Sequence, residues 1–341
     1  MEKRIVVSSN EAAAIQGLLA RIVERHSGAE DPSFLKQAPL LAHDLPARLR
    51  AELYEFKLAE QPSVLVLTGY PIEQTKIGRT PDHWRNQDGK SPVFAEEALL
   101  VLFGSILGHT IGWSTQQDGR IVHDILPIKE HEDEQLGSGC KQPLWWHTED
   151  AFHPYRGDYI CMMCLRNPDG VPTTICSVDD LEIEPRHRDI LFQPRFVIRP
   201  DESHLPKNRG RQEEEVDGEL QEAYQRIGEM NSTPEKLAVL FGHPDSPYLR
   251  LDPYFMDRLE GDPEAQEALD ALVGEVDRKI QEVSLCPGDF CFIDNFRAVH
   301  GRKSFAARFD GNDRWLKRIN VVRDLRKSRA ARPAADSLVI F

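Results

Sequence analysis

"LWWHTEDAFHPYRGDYICMMCLRN" runs from residue 144 to residue 167. Two apolar runs, "LWW" and "YICMMCL", bracket a segment holding two His, two Asp and one Glu. If the first part is a strand, side-chain alternation puts His147 and Glu149 on one face and Trp146 and Thr148 on the other. "YICMMCL" is a short continuous apolar run, which reads as a buried strand. "CMMC" (161–164) has the spacing of a redox or zinc motif, but no second Cys or His pair lies nearby at metal spacing, so the strand reading is preferred.

The same texture continues outward. From about residue 113 the chain is a series of short apolar runs cut by Gly, Pro, Asn and Asp: "GRIVHDILPI", "PTTICSV", "RFVIRP", "SPYLRLDPYF", "DFCFIDNFRAVHG" and "KRINVVRDL". Many short strands with turn signals predict a sandwich or barrel. Towards the N-terminus, helical spacing recurs at 8–26, 45–61 and 94–112, and a β-branched run at 63–72 reads as a buried strand, so residues 1–112 form a mainly helical cover with a first strand. Residues 262–283 read as an amphipathic packing helix. "PKNRGRQEEEVDGELQEAYQRIG" (206–228) is charged and poor in apolar residues, and reads as a mobile surface insertion. With no repeat and no linker, one domain is expected over 1–341: an α+β arrangement with a mainly β core at 113–325, an insertion at about 200–240 and a tail at 326–341.

Composition narrows the function. The 341 residues are 40% hydrophobic and 29% charged, as in a globular protein, and the net charge of -14 disfavours nucleic acid or an anionic membrane as partner. The most apolar stretch, "ALLVLFGSILG" (98–108), is about half the roughly 20 residues that span a bilayer, and the N-terminus lacks a signal core, so a cytoplasmic location is expected. Six scattered Cys do not form a secreted disulfide framework, and reduced thiols are expected. The tail can dock on its own chain or on a neighbour's, which leaves a homo-oligomer open.

A His-x-Glu pair needs a third ligand to hold a metal. The best candidate is His300, in "PGDFCFIDNFRAVHGR" (287–302), where a Pro-Gly turn leads into an aromatic-rich strand. Two His and one carboxylate on a β scaffold make the facial triad of non-haem Fe(II) oxygenases, although zinc accepts the same set and would activate water for hydrolysis. Arg314 and Arg318, fourteen and eighteen residues beyond His300, favour the oxygenase. A 2-oxo dicarboxylate chelating iron needs a fixed bidentate cation for its far carboxylate, and Arg suits that better than Lys.

"WHTEDAFHPYRGDY", "CLRNPDGVPTT" (164–174) and "DNFRAVHGRKSF" with Arg314 and Arg318 resemble the clavaminate synthase-like Fe(II)/2-oxoglutarate oxygenases, in particular the bacterial branch that hydroxylates free L-arginine, L-lysine or L-asparagine. The resemblance covers roughly residues 110–322. It implies a double-stranded β-helix, or jelly-roll, with helices outside and a lid, and Fe(II), 2-oxoglutarate and dioxygen as cofactors. By the same resemblance His147, Glu149 and His300 would ligate iron, and Arg314 with Thr174 would bind the distal carboxylate of 2-oxoglutarate. Arg318 would hold the substrate α-carboxylate, while Gln116, with Gln117 as the other choice, would meet the α-amino group beside Glu149. Asp252 would face a cationic side chain, with Asp201 and Ser203 coming from the lid. Arginine-specific relatives carry a second Asp where this chain has Tyr254; an ammonium is content with one carboxylate, which tilts the expected substrate slightly towards lysine over arginine. Hydroxylation at C3 or C4 is expected, since halogenases have a small residue in place of Glu149. Trp145, Trp146 and Phe152 would hold the cluster rigid, and Asp150 and His153 would support it without ligating. The same chemistry on asparagine, a zinc hydrolase and a non-catalytic jelly-roll binding module are the rivals.

Overall fold

The structure, a computed structural model, describes residues 2–85, 90–206 and 218–341. Glu2–Val6 form a strand, β1, in a stretch expected to be mainly helical, with its first strand at 63–72. Of its five residues only Ile5 is buried, so it carries little hydrophobic signal, and its neighbour supplies the pairing. α1 (Ser9–Arg25), α2 (Pro32–Leu41) and α3 (Ala47–Ala59) follow. α1 starts at a capping box: Ser8 Oγ accepts from the Glu11 N–H at 3.3 Å and Glu11 Oε2 accepts from the Ser8 N–H at 2.9 Å, which satisfies two otherwise orphaned donors. β2 (Val64–Thr68) pairs in parallel with β1, and α4 (Gln74–Ile77) and α5 (Phe94–Leu107) come next. The helix expected at 94–112 stops at Leu107, and β3 (His109–Trp113) begins. Gly108 stands at the break because a Cβ there would lie 2.2 Å from the Val322 carbonyl oxygen.

The remaining strands are β4 (His123–Ile125), β5 (Leu144–His147), β6 (Tyr159–Arg166) and β7 (Thr173–Ser177). After α6 (Pro185–Leu191) and α7 (Gly218–Ser232) come β8 (Leu240–His243) and β9 (Ser246–Leu249). α8 (Pro263–Lys279) precedes β10 (Gln281–Val283), β11 (Phe290–Asp294), β12 (Ala298–Arg302), β13 (Trp315–Val322) and β14 (Val339–Ile340). The larger sheet has the order β1-β2-β11-β6-β13-β3-β14, with β4 also on β13; the smaller is β10-β7-β12-β5; β8 and β9 form a hairpin.

Alternation along β6 and β13 sorts the core. Cys161, Met163, Ile319 and Val321 face the helical cover, while Ile160, Met162, Cys164 and Leu316 pack with Ile175 and Ala298 of the smaller sheet. The two sheets therefore sandwich one apolar layer, as in a jelly-roll. Cys161 and Cys164 sit on opposite faces of one strand, which excludes a shared metal and agrees with the buried-strand reading. Of the six free cysteines only Cys286 is exposed. Residues 99–103 of α5 are fully buried, and Phe103 meets Phe290 edge-on at 5.0 Å. The outer face of the smaller sheet, with Trp146, Cys176 and Val299, packs on Ile190 of α6 and Leu269 and Leu272 of α8.

Two expectations change. Residues 207–217 of the anticipated surface insertion lie outside the described residues, but 218–232 form α7, which buries Leu220, Ala223 and Ile227. Those three apolar positions, spaced three and four apart, give a helix face that the charged composition obscured. Similarly, "RFVIRP" makes only isolated bridges, Phe196 with Leu237 and Ile198 with Met256. The tail docks on its own chain, β14 pairing in parallel with β3. Among the described residues no helix is long and apolar enough to cross a membrane.

Candidate active site

Sheet register builds the centre. His147 and His300 are direct cross-strand partners on β5 and β12, and their rings lie 4.9 Å apart. Gly301 permits this, since a Cβ there would meet the Leu144 carbonyl oxygen at 2.6 Å, beside an irregularity in the β12–β5 pairing. Glu149 follows two residues beyond the end of β5. Its backbone is fixed from a distance: Asn295 Oδ1 accepts from the Glu149 N–H at 2.8 Å and Asn295 Nδ2 donates to the Glu149 carbonyl at 3.1 Å. Glu149 Oε2 stands 3.5 Å from His147 Nε2 and 3.4 Å from His300 Nε2. One ligand atom from each of the three residues falls within 4.8 Å of the others.

The His147 tautomer follows from its partner. Nδ1 lies 2.8 Å from the Trp145 carbonyl, which can only accept, so Nδ1 carries a proton; Nε2 faces Glu149, whose hydrogen bond and charge outweigh burial and raise the imidazole to about 9, so that Nε2–H donates to the carboxylate where a metal would otherwise take the Nε2 lone pair. Two imidazole nitrogens and one carboxylate oxygen, with protein on one side and a cavity on the other, suit Fe(II) with open coordination positions. Burial alone would raise the Glu149 carboxyl, yet the ion pair with Arg318 and hydrogen bonds to both histidines hold it well below the usual range. Arg318 Nη2 also donates to His123 Nδ1 at 3.1 Å, and His123 Nε2 donates to the Arg120 carbonyl at 3.0 Å. Burial, followed by the Arg318 charge, pushes His123 down to about 3, so it stays a neutral acceptor.

Most of the expected residues line one cavity: Gln116, Asp201, Ser203, Asp252, Arg314 and Arg318 meet there with the triad. Arg314, one residue before β13 and in step with its inward-facing Leu316 and Arg318, is buried and pushed down to about 10 by that burial. Its Nε has no partner, and among the described residues no carboxylate pairs with it. Asp252 is likewise buried without an ion pair, and burial raises its carboxyl to about 7. The two glutamines that line the cavity differ in what they leave free. Gln117 is spent on β4, donating to the Asp124 carbonyl and accepting from its N–H, whereas Gln116 leaves Oε1 buried and unpartnered. Gln116 Nε2 donates to Ser203 Oγ at 2.6 Å, and Ser203 donates to Asp201.

Thr174 does not face this cavity. Thr173 lines it, and on β7 the alternation that points Thr173 and Ile175 inward turns Thr174 outward. Asp150 and His153 stand outside the His147, Glu149 and His300 cluster. Asp150, in a left-handed conformation, accepts from Trp113 Nε1 at 2.7 Å and meets His204 Nε2 at 3.0 Å. Trp146 and Phe152 are buried, but Trp145 is 39% exposed at the cavity mouth, 6.4 Å from the ring of Tyr254. His204, His123, Asn295 and Arg302 belong to the site's surroundings without having stood out in the sequence. Only Arg302 carried a signal, since it alternates with His300 along the same strand.

Fold and centre together define a non-haem iron(II) oxygenase that uses 2-oxoglutarate. The chain belongs to the family described as "Taurine catabolism dioxygenase TauD, TfdA family", whose model matches residues 85–320. It is 45% identical to an L-ornithine/L-arginine 3-hydroxylase of Catenulispora acidiphila, over 99% of both chains. An enduracididine beta-hydroxylase of Streptomyces hygroscopicus is 44% identical over 98% of both. The solved structure of the non-heme iron oxygenase OrfP with Fe, succinate and (3S)-hydroxy-L-Arg superposes with a TM-score of 0.94 at 44% identity, covering 99% of this chain and 100% of that one. OrfP has also been solved with Fe and alpha-ketoglutaric acid. The cofactors are thus iron(II) and 2-oxoglutarate, and the zinc hydrolase and the non-catalytic module fall away. The tilt towards lysine is corrected too: an L-lysine 3-hydroxylase of Catenulispora acidiphila is only 28% identical.

Proposed function

We propose that this enzyme hydroxylates C3 of a free basic L-amino acid carrying a guanidinium or a short ammonium side chain, with arginine or ornithine as substrate. The observation that carries the reading is charge placement: beside the triad the cavity holds Asp252, buried with no ion pair among the described residues, and Arg318, whose partner is a triad carboxylate. A zwitterion with a cationic side chain complements both. Its α-carboxylate would share Arg318, and its α-ammonium would donate to Gln116 Oε1 and Glu149. The side-chain cation would reach Asp252, with Asp201 beside it.

Tyr254 fits this reading better than it fitted lysine. With Trp145 it offers ring faces at the mouth of the cavity, and a flat guanidinium stacks on such faces where a hydrated ammonium gains less. Likeness to the ornithine/arginine hydroxylase and to OrfP, with its hydroxy-arginine, supports the same substrate class and C3 as the carbon.

Iron(II) with 2-oxoglutarate and dioxygen supplies the oxidising power, one oxygen atom going to the C–H bond and the other to succinate, with release of carbon dioxide. The residues of this chain orient and shield. His147, fixed by the Trp145 carbonyl, and His300, fixed by strand pairing, would hold the metal with Glu149. Arg314 would anchor the far carboxylate of 2-oxoglutarate, and the groups at the two ends of the amino acid would decide which hydrogen faces the metal. The test is incubation of purified enzyme with iron(II), ascorbate, 2-oxoglutarate and each free L-amino acid in turn, read by mass spectrometry. Gain of one oxygen by arginine or ornithine is expected. Turnover of asparagine or lysine with neither of those two would overturn the substrate assignment.

A further inference from the structure

Three alternating positions of β12 turn inward: Ala298 packs in the layer between the sheets, His300 joins the triad, and Arg302 enters the cavity. Its cross-strand partner on β7 is Thr173, which lines the same cavity. Arg302 is 3% exposed. Nη1 donates to the Lys303 carbonyl at 2.8 Å, Nη2 reaches the Gln142 carbonyl only at 3.4 Å, and Nε has no partner. Its guanidinium carbon lies 5.1 Å from the centre of the Phe305 ring.

The neighbours make this arrangement unusual. Arg318, also in the cavity, is neutralised by Glu149, and the buried Lys317 behind it is paired with Glu97 and Asp124. Arg302 has no carboxylate among the described residues, and neither has Arg314. Both line the same cavity. Two buried guanidinium charges in one cavity, neither with a carboxylate among the described residues, call for an anion from outside the chain.

We propose that Arg302 is a second guanidinium for the distal carboxylate of 2-oxoglutarate, which would bridge Arg302 and Arg314. The proposal rests on the reading that Arg314 takes that carboxylate. A carboxylate has about four lone-pair sites, enough to accept from two arginine forks at once. Thr173, not Thr174, is the hydroxyl on the strand facing Arg302. The expected property is strong selection for a dicarboxylic 2-oxo acid over a monocarboxylic one.

The rival account is that Arg302 only ties two backbone carbonyls together. Anaerobic calorimetry on the Mn(II)-loaded protein separates them without relying on turnover, with 2-oxoglutarate and 2-oxobutanoate as probes; the second has the chelating end but no distal carboxylate. R302Q should weaken 2-oxoglutarate about tenfold or more, as for loss of a charge-assisted hydrogen bond, and leave 2-oxobutanoate within about twofold. A folded R302Q that binds 2-oxoglutarate as the unmodified protein does, or loses both probes equally, would overturn the proposal. If R302Q fails to fold, R302K keeps the charge but loses the fork; about threefold weaker 2-oxoglutarate binding is expected, and unchanged binding refutes the bridge. An unmodified protein that binds both probes alike would instead remove the Arg314 reading, and this one with it.

Discussion

Replacing Asp252 with Asn keeps shape and a hydrogen-bond acceptor while removing charge, so it isolates the electrostatic contribution of the carboxylate to substrate selection. Asp252 is 5% exposed and has no ion pair among the described residues, so a bound cation would meet it largely out of water. A hydrogen bond to such a charged group contributes about 1.5–3 kcal/mol. At about 1.4 kcal/mol per factor of ten, kcat/KM for arginine should fall roughly 10- to 150-fold. The assay belongs at pH 8, because burial pushes the Asp252 carboxyl up to about 7. An acid with a raised pKa is neutral below it, so at pH 6 the native enzyme should itself be weakened towards cationic substrates and the gap to D252N should shrink. The measurement is succinate release coupled to hydroxylated product, at saturating 2-oxoglutarate and varied amino acid. If D252N processes arginine within about twofold of the native enzyme at pH 8, Asp252 does not read the side-chain cation and the substrate argument fails.

Removing the ring in Y254A should lower kcat/KM for arginine by roughly 2- to 30-fold, the range of one cation–π contact, and affect ornithine less; equal losses for both would deny a stacking role. D294N should be more stable than the native protein at pH 8 and nearly equal to it at pH 4. Burial raises Asp294 to about 7, so the folded form keeps a proton that the unfolded chain releases, and the stability this gives is lost as pH rises through 7. The expected difference is about 2–4 kcal/mol by denaturant melts, and a gap that does not vary with pH would contradict it. F103A removes a fully buried ring packed against Phe290 and Phe292 and should cost about 3–5 kcal/mol, with kcat near native in the folded fraction; a loss below 1 kcal/mol would mean that α5 does not pack tightly on the sheet.

The centre was legible because its chemistry follows strand periodicity. His147 and Glu149 share a face in any extended reading, and His300 closes a strand of clear apolar pattern. Periodicity is also unforgiving: Thr174, the expected hydroxyl partner of the cosubstrate, faces away from the cavity that its neighbour Thr173 lines, because in a strand one residue is the other face. β1 was invisible because a mostly exposed edge strand looks like any charged segment. α7 was hidden by its charges, three buried apolar residues in fifteen being enough for a helix face but too few to dominate composition. Substrate preference was misjudged for a different reason, since one absent carboxylate was counted while the ring that replaced it was not weighed.

His147 and His300 are neighbours across one rung of the smaller sheet, whereas Asp201, Ser203, Asp252 and Tyr254 stand on the connections between regular elements. The two histidines are therefore set by backbone geometry, and the groups proposed to meet the side-chain end of the amino acid can be exchanged without touching them. A lineage built this way can drift from one amino acid to another by loop changes alone, keeping its reaction while its diet varies.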